Sequence, residues 1–405
     1  MVGYARIIKA NHSGRDKPTK SPVLFFRGLL LIPILTLLAP PAIFPQTKDQ
    51  FYSDPKADAI IRHGLHLSYN LEYSLSEKDW DDLIHLYPEH PAGYVNKAAL
   101  VWWQAVENRQ NKQLQEQFAT LTKKAIDKGM VWLQKSPRDK FALAYVASAY
   151  GNATRFDVTV TRSYFSALRN GKKGHKYIDL AHAVDTNYYD TYIGLGSYNY
   201  FTGALPSVIK PFAWLLGARG DKDQGIHQLL LASEKGEYGR TEARIVLLSV
   251  YFSERRWDEY QRLLDTLLEE HPLNHVFYMW ASNYYIGMRR WDLAISEFRK
   301  VEKLIDPNGS PYGPGALAWL NFNLGRNYFA KQDWIHTVAV LDQAEKLDPG
   351  NPVLLAQLYL LKGNALDKLG RRPDAVAAYQ RALQYPSIED SHGKSKRYLK
   401  SAYGE

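Results

Sequence analysis

The sequence predicts an all-α fold, a solenoid of stacked helical hairpins, and three observations carry that expectation. Glu254-Arg-Arg-Trp257-Asp258 recurs as Met288-Arg-Arg-Trp291-Asp292, so each Trp and Asp is followed 34 positions later by its own copy. A period of that length is the period of a helix–turn–helix unit repeated along a chain. From about Asp54 onward, apolar residues at mixed three- and four-residue spacing alternate with turns rich in Pro, Asn and Asp. Finally, 405 residues exceed one ordinary core, yet a solenoid needs no common core because each repeat buries its face against its neighbours.

The N-terminus reads as a targeting segment, residues 1–45. A basic lead precedes the apolar run Gly28-Leu-Leu-Leu-Ile-Pro-Ile-Leu-Thr-Leu-Leu-Ala39, the pattern of a charged region followed by a hydrophobic one. The run is short for a membrane span, which needs about 20 apolar residues, and Pro33, Pro40, Pro41 and Pro45 interrupt it. A cleaved export signal is the expectation. The alternative is an uncleaved inner-membrane anchor over residues 23–44, because no small-x-small cleavage site precedes Gln46. Either way the rest of the chain is expected outside the cytoplasm, periplasmic or extracellular, and the absence of Cys removes a lipidated-cysteine anchor.

Degenerate hairpins are expected over residues 54–240. The first pairs 59–73 with 80–86 and closes at Tyr87-Pro88-Glu-His-Pro91; the second pairs 92–107 with 118–134 and stops at Ser136-Pro137. The third joins 140–151 to 174–184 through a long connection, and Asp185-Thr-Asn187 is its closing turn. The fourth joins 188–200 to 225–235 and is split by an apolar insertion, 202–221. Clearer repeats fill 241–386, and a C-terminal tail follows over 387–405.

Those clearer repeats resemble the tetratricopeptide repeat. Leu324-Gly325, Tyr328, Leu341, Ala344 and Pro349 stand at that family's offsets, as do Gly363, Ala375, Tyr379, Ala382 and, one place early, Pro386. Ser282, Tyr285, Ala294 and Phe298 fit a further copy, and Tyr251, Leu264, Leu267 and Pro272 fit the loosest, in which Leu248 replaces Gly and Tyr260 replaces Ala. Small residues let paired helices approach, aromatics fill the space between hairpins, and Pro ends each unit. Trp257, Trp291 and Trp334 share one position at the start of the second helix and so read as packing residues. The resemblance implies a right-handed superhelix with a concave ligand groove.

A fainter likeness covers about 60 residues. Gly194-Leu-Gly-Ser-Tyr-Asn-Tyr-Phe201, Leu205-Pro206, Gly217, Gly220-Asp221, Gly225 and Leu229 are similar to the middle of the tetratricopeptide repeat 39 and inclusion-body clearance family. What it implies is an atypical apolar hairpin within the repeat array. The insertion itself, 204–216, is more apolar than a solvated loop, so it is expected either to fold back on the solenoid or to touch a membrane or a second copy through Pro206, Phe212 and Trp214.

Composition narrows the function classes. Six basic residues against Asp16 give residues 1–45 a charge of +5 out of +9, which leaves +4 for the remainder. The solenoid therefore shows mixed charge, and no nucleic-acid partner is expected. There is no His-Glu-x-x-His, Gly-x-Ser-x-Gly, P-loop or Gly-x-Gly-x-x-Gly motif, so no enzyme and no cofactor is expected. Asp221-Lys-Asp223-Gln-Gly225 opens like a calcium loop but lacks its third ligand, and Ala232 stands where the bidentate Glu belongs. His63 and His66 have no third ligand, so no metal site is expected.

The remaining expectation is a protein or peptide partner in the groove. In tetratricopeptide arrays the first helix of each repeat lines the concave face, its second, fifth, ninth and twelfth positions commonly pointing inward. By that resemblance the ninth positions are Ser249, Asn283, Arg326 and Asn364, the fifth include Met279 and Phe322, and the twelfth include Phe329. Amides could meet peptide backbone groups while apolar side chains supply area. The Lys of a carboxylate clamp is missing, since Met279 and Leu360 stand where it belongs. An assembly factor using the insertion, or a glycan-binding or glycan-processing protein using the many aromatics, are the alternatives; no inward-facing carboxylate pair singles out the latter.

Overall fold

Two kinds of local signal set where the helices begin and end: side-chain caps at their starts and left-handed residues at their stops. The computed structural model describes Phe51 and residues 54–107, 109, 111–205, 207, 210–211, 219–304, 314–347, 351–387 and 389–404. Among them every regular element is a helix, and the fold is an α-solenoid of tetratricopeptide-type hairpins. The chain falls into two compact units, Met1–Tyr69 with Tyr73–Leu263, and Asn70–Glu72 with Leu264–Glu405.

In the first unit α1 (Pro55–Tyr69) pairs with α2 (Tyr73–Leu86), α3 (Pro91–Glu107) with α4 (Lys112–Lys135), α5 (Lys140–Phe156) with α6 (Tyr164–Val184), and α7 (Thr191–Gly203) with α8 (Lys222–Lys235). Helix α9 (Arg240–Glu254) follows, and α10 (Trp257–Glu270) runs from the first unit into the second. Within this unit the hairpins from α1 to α8 stack in order, and the successive first helices α3, α5, α7 and α9 also touch in sequence. The second unit repeats the plan with α11 (His275–Gly287) and α12 (Trp291–Leu304), α13 (Pro314–Ala330) and α14 (Trp334–Lys346), α15 (Pro352–Lys368) and α16 (Arg372–Ala382). Helix α17 (Ser391–Lys400) then packs on α15 and α16, so the expected tail contains a helix.

The starts are written in Asn and Asp. Asn111, Asp139, Asp221, Asn274, Asp333 and Asn351 each accept from backbone N–H groups of the first turn that follows them. Such caps contribute about 1 kcal/mol apiece. Asp221 is thereby committed to Gln224 N at 2.8 Å, which gives the abortive calcium loop a structural role.

Hairpin turns follow one rule. Arg255, Arg289, Gln332 and Gly370 each lie two residues before a second helix, with φ of 58°, 57°, 66° and 72°. The next N–H reaches back five residues, as from Arg256 to Tyr251 O and Arg290 to Tyr285 O, both 2.8 Å, and from Asp333 to Tyr328 O and Arg371 to Leu366 O, both 2.9 Å. That is the helix stop which a left-handed residue makes possible.

Close approach within hairpins follows another. A Cβ on Gly64 would stand 2.7 Å from the Trp80 ring, and one on Gly325 would stand 2.7 Å from Leu341. Gly363 lies equally tight against Tyr379. In all three the large residue comes 16 positions after the glycine, so the first hairpin, read from sequence as degenerate, keeps the same register as the last.

The third hairpin departs from the sequence reading. Its long connection is largely helical: α5 runs on to Phe156, a π-helical turn Asp157–Thr161 follows, and α6 begins at Tyr164. Asn152 and Arg155 fall in the stretch expected as connection, but both are buried and find partners across the unit, Asn152 Nδ2 donating to Val95 O at 3.1 Å. Polar residues facing inward hide a helix from a hydropathy pattern.

Replacing Gln332 by Gly should raise stability by about 1 kcal/mol in chemical denaturation, because a left-handed φ costs a side chain but not glycine. Gly370→Ala should lower it by a similar amount.

Candidate functional site

The ninth positions of the first helices carry half-buried polar groups. Asn283 on α11, Arg326 on α13 and Asn364 on α15 are all half-buried, at the same register of three helices that contact one another in succession. Arg326 donates from Nη1 to Asn323 Oδ1 at 3.2 Å, and Asn364 Oδ1 accepts from the Tyr379 hydroxyl at 3.1 Å. The three occupy matching positions on successive first helices. The Asn364 amide nitrogen has no partner among the described residues, which leaves two donors for a bound group. Met279 is half-buried as well. Ser249 belongs to the first unit, where its hydroxyl donates to Val246 O at 2.7 Å.

Two expected lining residues are core instead. Phe322 is 3% exposed and packs with Ala318, Leu341, Leu354 and Leu358. Phe329 is 5% exposed, in a cluster with Val338, Ala365, Leu366 and Tyr379. The reason for Phe329 lies in the hairpin turn, where its ring meets Trp334 at 4.9 Å, edge to face. Phe252 meets Trp257 the same way at 5.5 Å. The twelfth position thus serves the tryptophan five residues later, and the aromatic pair seals the turn.

The far edge of this face is occupied by the chain's own C-terminal segment. Asp367, whose side chain is buried, takes Arg372 Nη1 at 3.0 Å, the Tyr379 hydroxyl at 2.8 Å and Tyr403 N at 2.7 Å. Arg372 Nη2 donates onward to Tyr398 O and Leu399 O at 2.6 and 3.1 Å. Burial and then Asp367 push the Tyr379 hydroxyl's pKa up, so it stays a donor. Near Arg326 sits Glu389, whose carboxyl is raised by burial while Arg326 and Lys394 work against the shift.

In the first unit the first helices converge on an ion pair instead of a row of amides. Arg155 on α5 and Glu242 on α9 lie 3.2 Å apart with side chains 1% exposed each. The guanidinium sits over Trp102 of α3 at 3.9 Å, and the Tyr69 hydroxyl of α1 donates to Glu242 at 3.3 Å. Burial lowers the Arg155 pKa to about 10, with Glu242 opposing the fall. The π turn secures the support, since Trp102 Nε1 donates to Thr159 Oγ1 at 2.8 Å and Thr159 back-bonds to Arg155 O at 2.6 Å. Around it α1 clasps the start of α9: Arg62 reaches Glu237 at 2.8 Å, and the Tyr238 hydroxyl donates to Asp58. Asp190 pins the same segment by accepting from the N–H groups of Glu237, Tyr238 and Gly239 at 2.9, 3.3 and 3.2 Å. Its complete burial raises its pKa to about 7.

Beside the π turn lies a cleft of about 560 Å³ between α4, α5 and α6, with Phe118, Ile126, Tyr150 and Phe156 in its wall and Asp127 and Asp157 among its polar groups. Phe118 and Phe156 stack at 3.9 Å across its base. The only sequence signal for it is the β-branched run Val158-Thr-Val-Thr161 at a helix end, which disfavours an ordinary α-helical turn. At the ends of the apolar insertion Gly203 and Gly220 meet backbone to backbone. Pro206, Phe212 and Trp214 lie outside the described residues. So does the segment 23–44, and no helix among the described residues is long and apolar enough to cross a membrane.

No family model matches the chain, and no curated protein matches it. Among solved structures it is similar to yeast Tom70, at 13% identity over 76% of this chain and 63% of that one, with a TM-score of 0.43. It is also similar to Cut9 with Hcn1, an anaphase-promoting-complex hetero-tetramer, at 12% identity over 87% and 58%, with a TM-score of 0.48. A third is the human IFIT1 dimer with PPP-AAAA, at 14% identity over 77% and 68%, with a TM-score of 0.39. The chain spans less than two thirds of the length of the first two. The class of protein is defined by its own repeat geometry: an α-solenoid of tetratricopeptide-type hairpins.

Arg155→Met alone should cost about 3–5 kcal/mol, because it leaves Glu242 buried and uncompensated, whereas Arg155→Met with Glu242→Leu should cost clearly less than the two single changes added, in a urea-denaturation cycle. Asp190 binds its proton more tightly folded than unfolded. Its contribution is therefore fully present below about pH 4 and lost as pH rises through about 7. Asp190→Asn should flatten the decline in stability across that window.

Proposed function

We propose that the chain is a non-enzymatic scaffold that holds a protein or peptide partner against the first-helix face of its second unit. The observation that carries this reading is the half-exposed polar row Asn283, Arg326 and Asn364, one residue per hairpin at matching register. Spacing by hairpin suits an extended or helical peptide, whose backbone and side-chain groups repeat along its length. Asn364 would donate its amide to a carbonyl, and Arg326, beside the Glu389 carboxyl, would favour a partner with acidic groups able to compete for it. Phe322 and Phe329 keep the helices in place and make no contact with the partner.

Export to the envelope is part of the same proposal and rests on the charged and apolar segments of residues 1–45. A mature N-terminus beyond residue 45 in a periplasmic or extracellular fraction supports it; an intact Met1 in the cytosol overturns it.

The binding reading is tested by crosslinked pull-down from the native source, comparing the full chain with Asn283→Ala/Arg326→Ala/Asn364→Ala. The partner recovered with the wild type should fall at least about tenfold with the triple variant, since a few central polar residues carry most of the energy of such a contact. Far-UV circular dichroism should be unchanged. Undiminished recovery, or lost helicity, would sink the proposal.

A further inference from the structure

Helix α6 carries a surface that neither the repeat packing nor the scaffold reading uses. Its inner side, Ala167, Gly174, Ile178 and Ala181, is buried against the unit. Its outer side leaves Phe165 at 82% exposure, the highest of any large apolar residue among those described, with Tyr164 at 56%, Leu168 at 40% and Leu180 at 45%. At 100° per residue Phe165, Leu168, Arg169, Lys172, Lys176 and Leu180 fall on one face. Arg162, Arg169, Lys172, Lys173 and Lys176 are all exposed, and none forms an ion pair among the described residues. From residue 158 to 178 the chain contains no Asp or Glu at all. Asp157 at one end is turned to Asn170, whose Nδ2 donates to it at 2.9 Å, and Asp179 at the other faces His175 at 3.2 Å.

We infer that this face of α6 docks the protein on a bilayer rich in anionic phospholipid. Unpaired cations in a continuous row supply attraction to a negative surface, and their aliphatic stems let the ammonium groups stay at the headgroups while neighbouring apolar side chains enter the acyl boundary. Phe165, Tyr164 and Leu168 supply those apolar groups at the helix start, and Leu180 continues them along the face. A nucleic acid would use the cations and could stack on the aromatics, but it has no use for exposed Leu168 and Leu180. A bilayer uses all of them. This inference is independent of the polar row in the second unit.

The chain has no cysteine, so Ser163→Cys in the full-length protein takes a single environment-sensitive fluorophore beside the patch. Vesicles of phosphatidylcholine mixed with phosphatidylglycerol should raise and blue-shift its emission, vesicles of phosphatidylcholine alone should not, and high salt should reverse the change. Lys172→Gln/Lys176→Gln should weaken partitioning roughly 25-fold, at about fivefold per lost charge. Lys172→Arg/Lys176→Arg should retain it, and Phe165→Ser should reduce the blue shift. The proposal is overturned by a label that stays aqueous while the protein sediments with vesicles, which would mean that residues 1–45 alone bring it there. It is equally overturned by indifference to lipid charge, or by a response to a single-stranded RNA oligonucleotide that exceeds the response to anionic vesicles.

Discussion

The hairpins α1/α2, α13/α14 and α15/α16 each depend on one close approach, in which a small residue on the first helix receives a large one from the second. Gly64 under Trp80, Gly325 under Leu341 and Gly363 under Tyr379 leave no room for a methyl group without displacing a packed side chain. Because a repeat buries its apolar face only against its neighbours, this contact sets the distance between helices and thus the register of everything stacked on it. A left-handed residue two positions before six of the eight second helices serves the same end. It reverses the chain in so few residues that the pair must pack along its full length.

The first unit adds a constraint that repetition does not supply. Arg155, Glu242, Trp102 and Tyr69 come from four different first helices and meet where no solvent reaches. Two charges removed from water are costly unless both are paired and bonded. Their arrangement is therefore demanding, and α1, α3, α5 and α9 have to be in place together to satisfy it. A tetratricopeptide-type inner face can be left open for a ligand; here, in the first unit, much of it is committed to holding the unit together. In the second unit the ninth positions Asn283, Arg326 and Asn364 remain half-buried.

The repeat period and the Pro residues that end each unit were legible in the sequence because they are local: each acts within a few residues of itself, or recurs at a fixed spacing. The ninth positions were assigned through the same counting. Phe322 and Phe329 were misassigned because a register says which way a residue points within its helix, and not whether a neighbouring Trp334 or Leu358 has already filled the space in front of it. Asn152 and Arg155 concealed a helix because their partners, Val95 and Glu242, lie 57 and 87 residues away. The cleft beside the π turn left almost no trace for the same reason.

By itself, then, the sequence determined the all-helical solenoid and the positions at which its first helices can present polar groups, since backbone periodicity and turn chemistry are properties of short segments. The tertiary structure alone decided which of those positions stay reachable, that Arg155 and Glu242 neutralise each other inside the first unit, and that the basic and apolar residues of α6 share one outward face. Burial and pairing depend on groups distant along the chain, and only their meeting in space determines whether a side chain is core, counter-ion or contact surface.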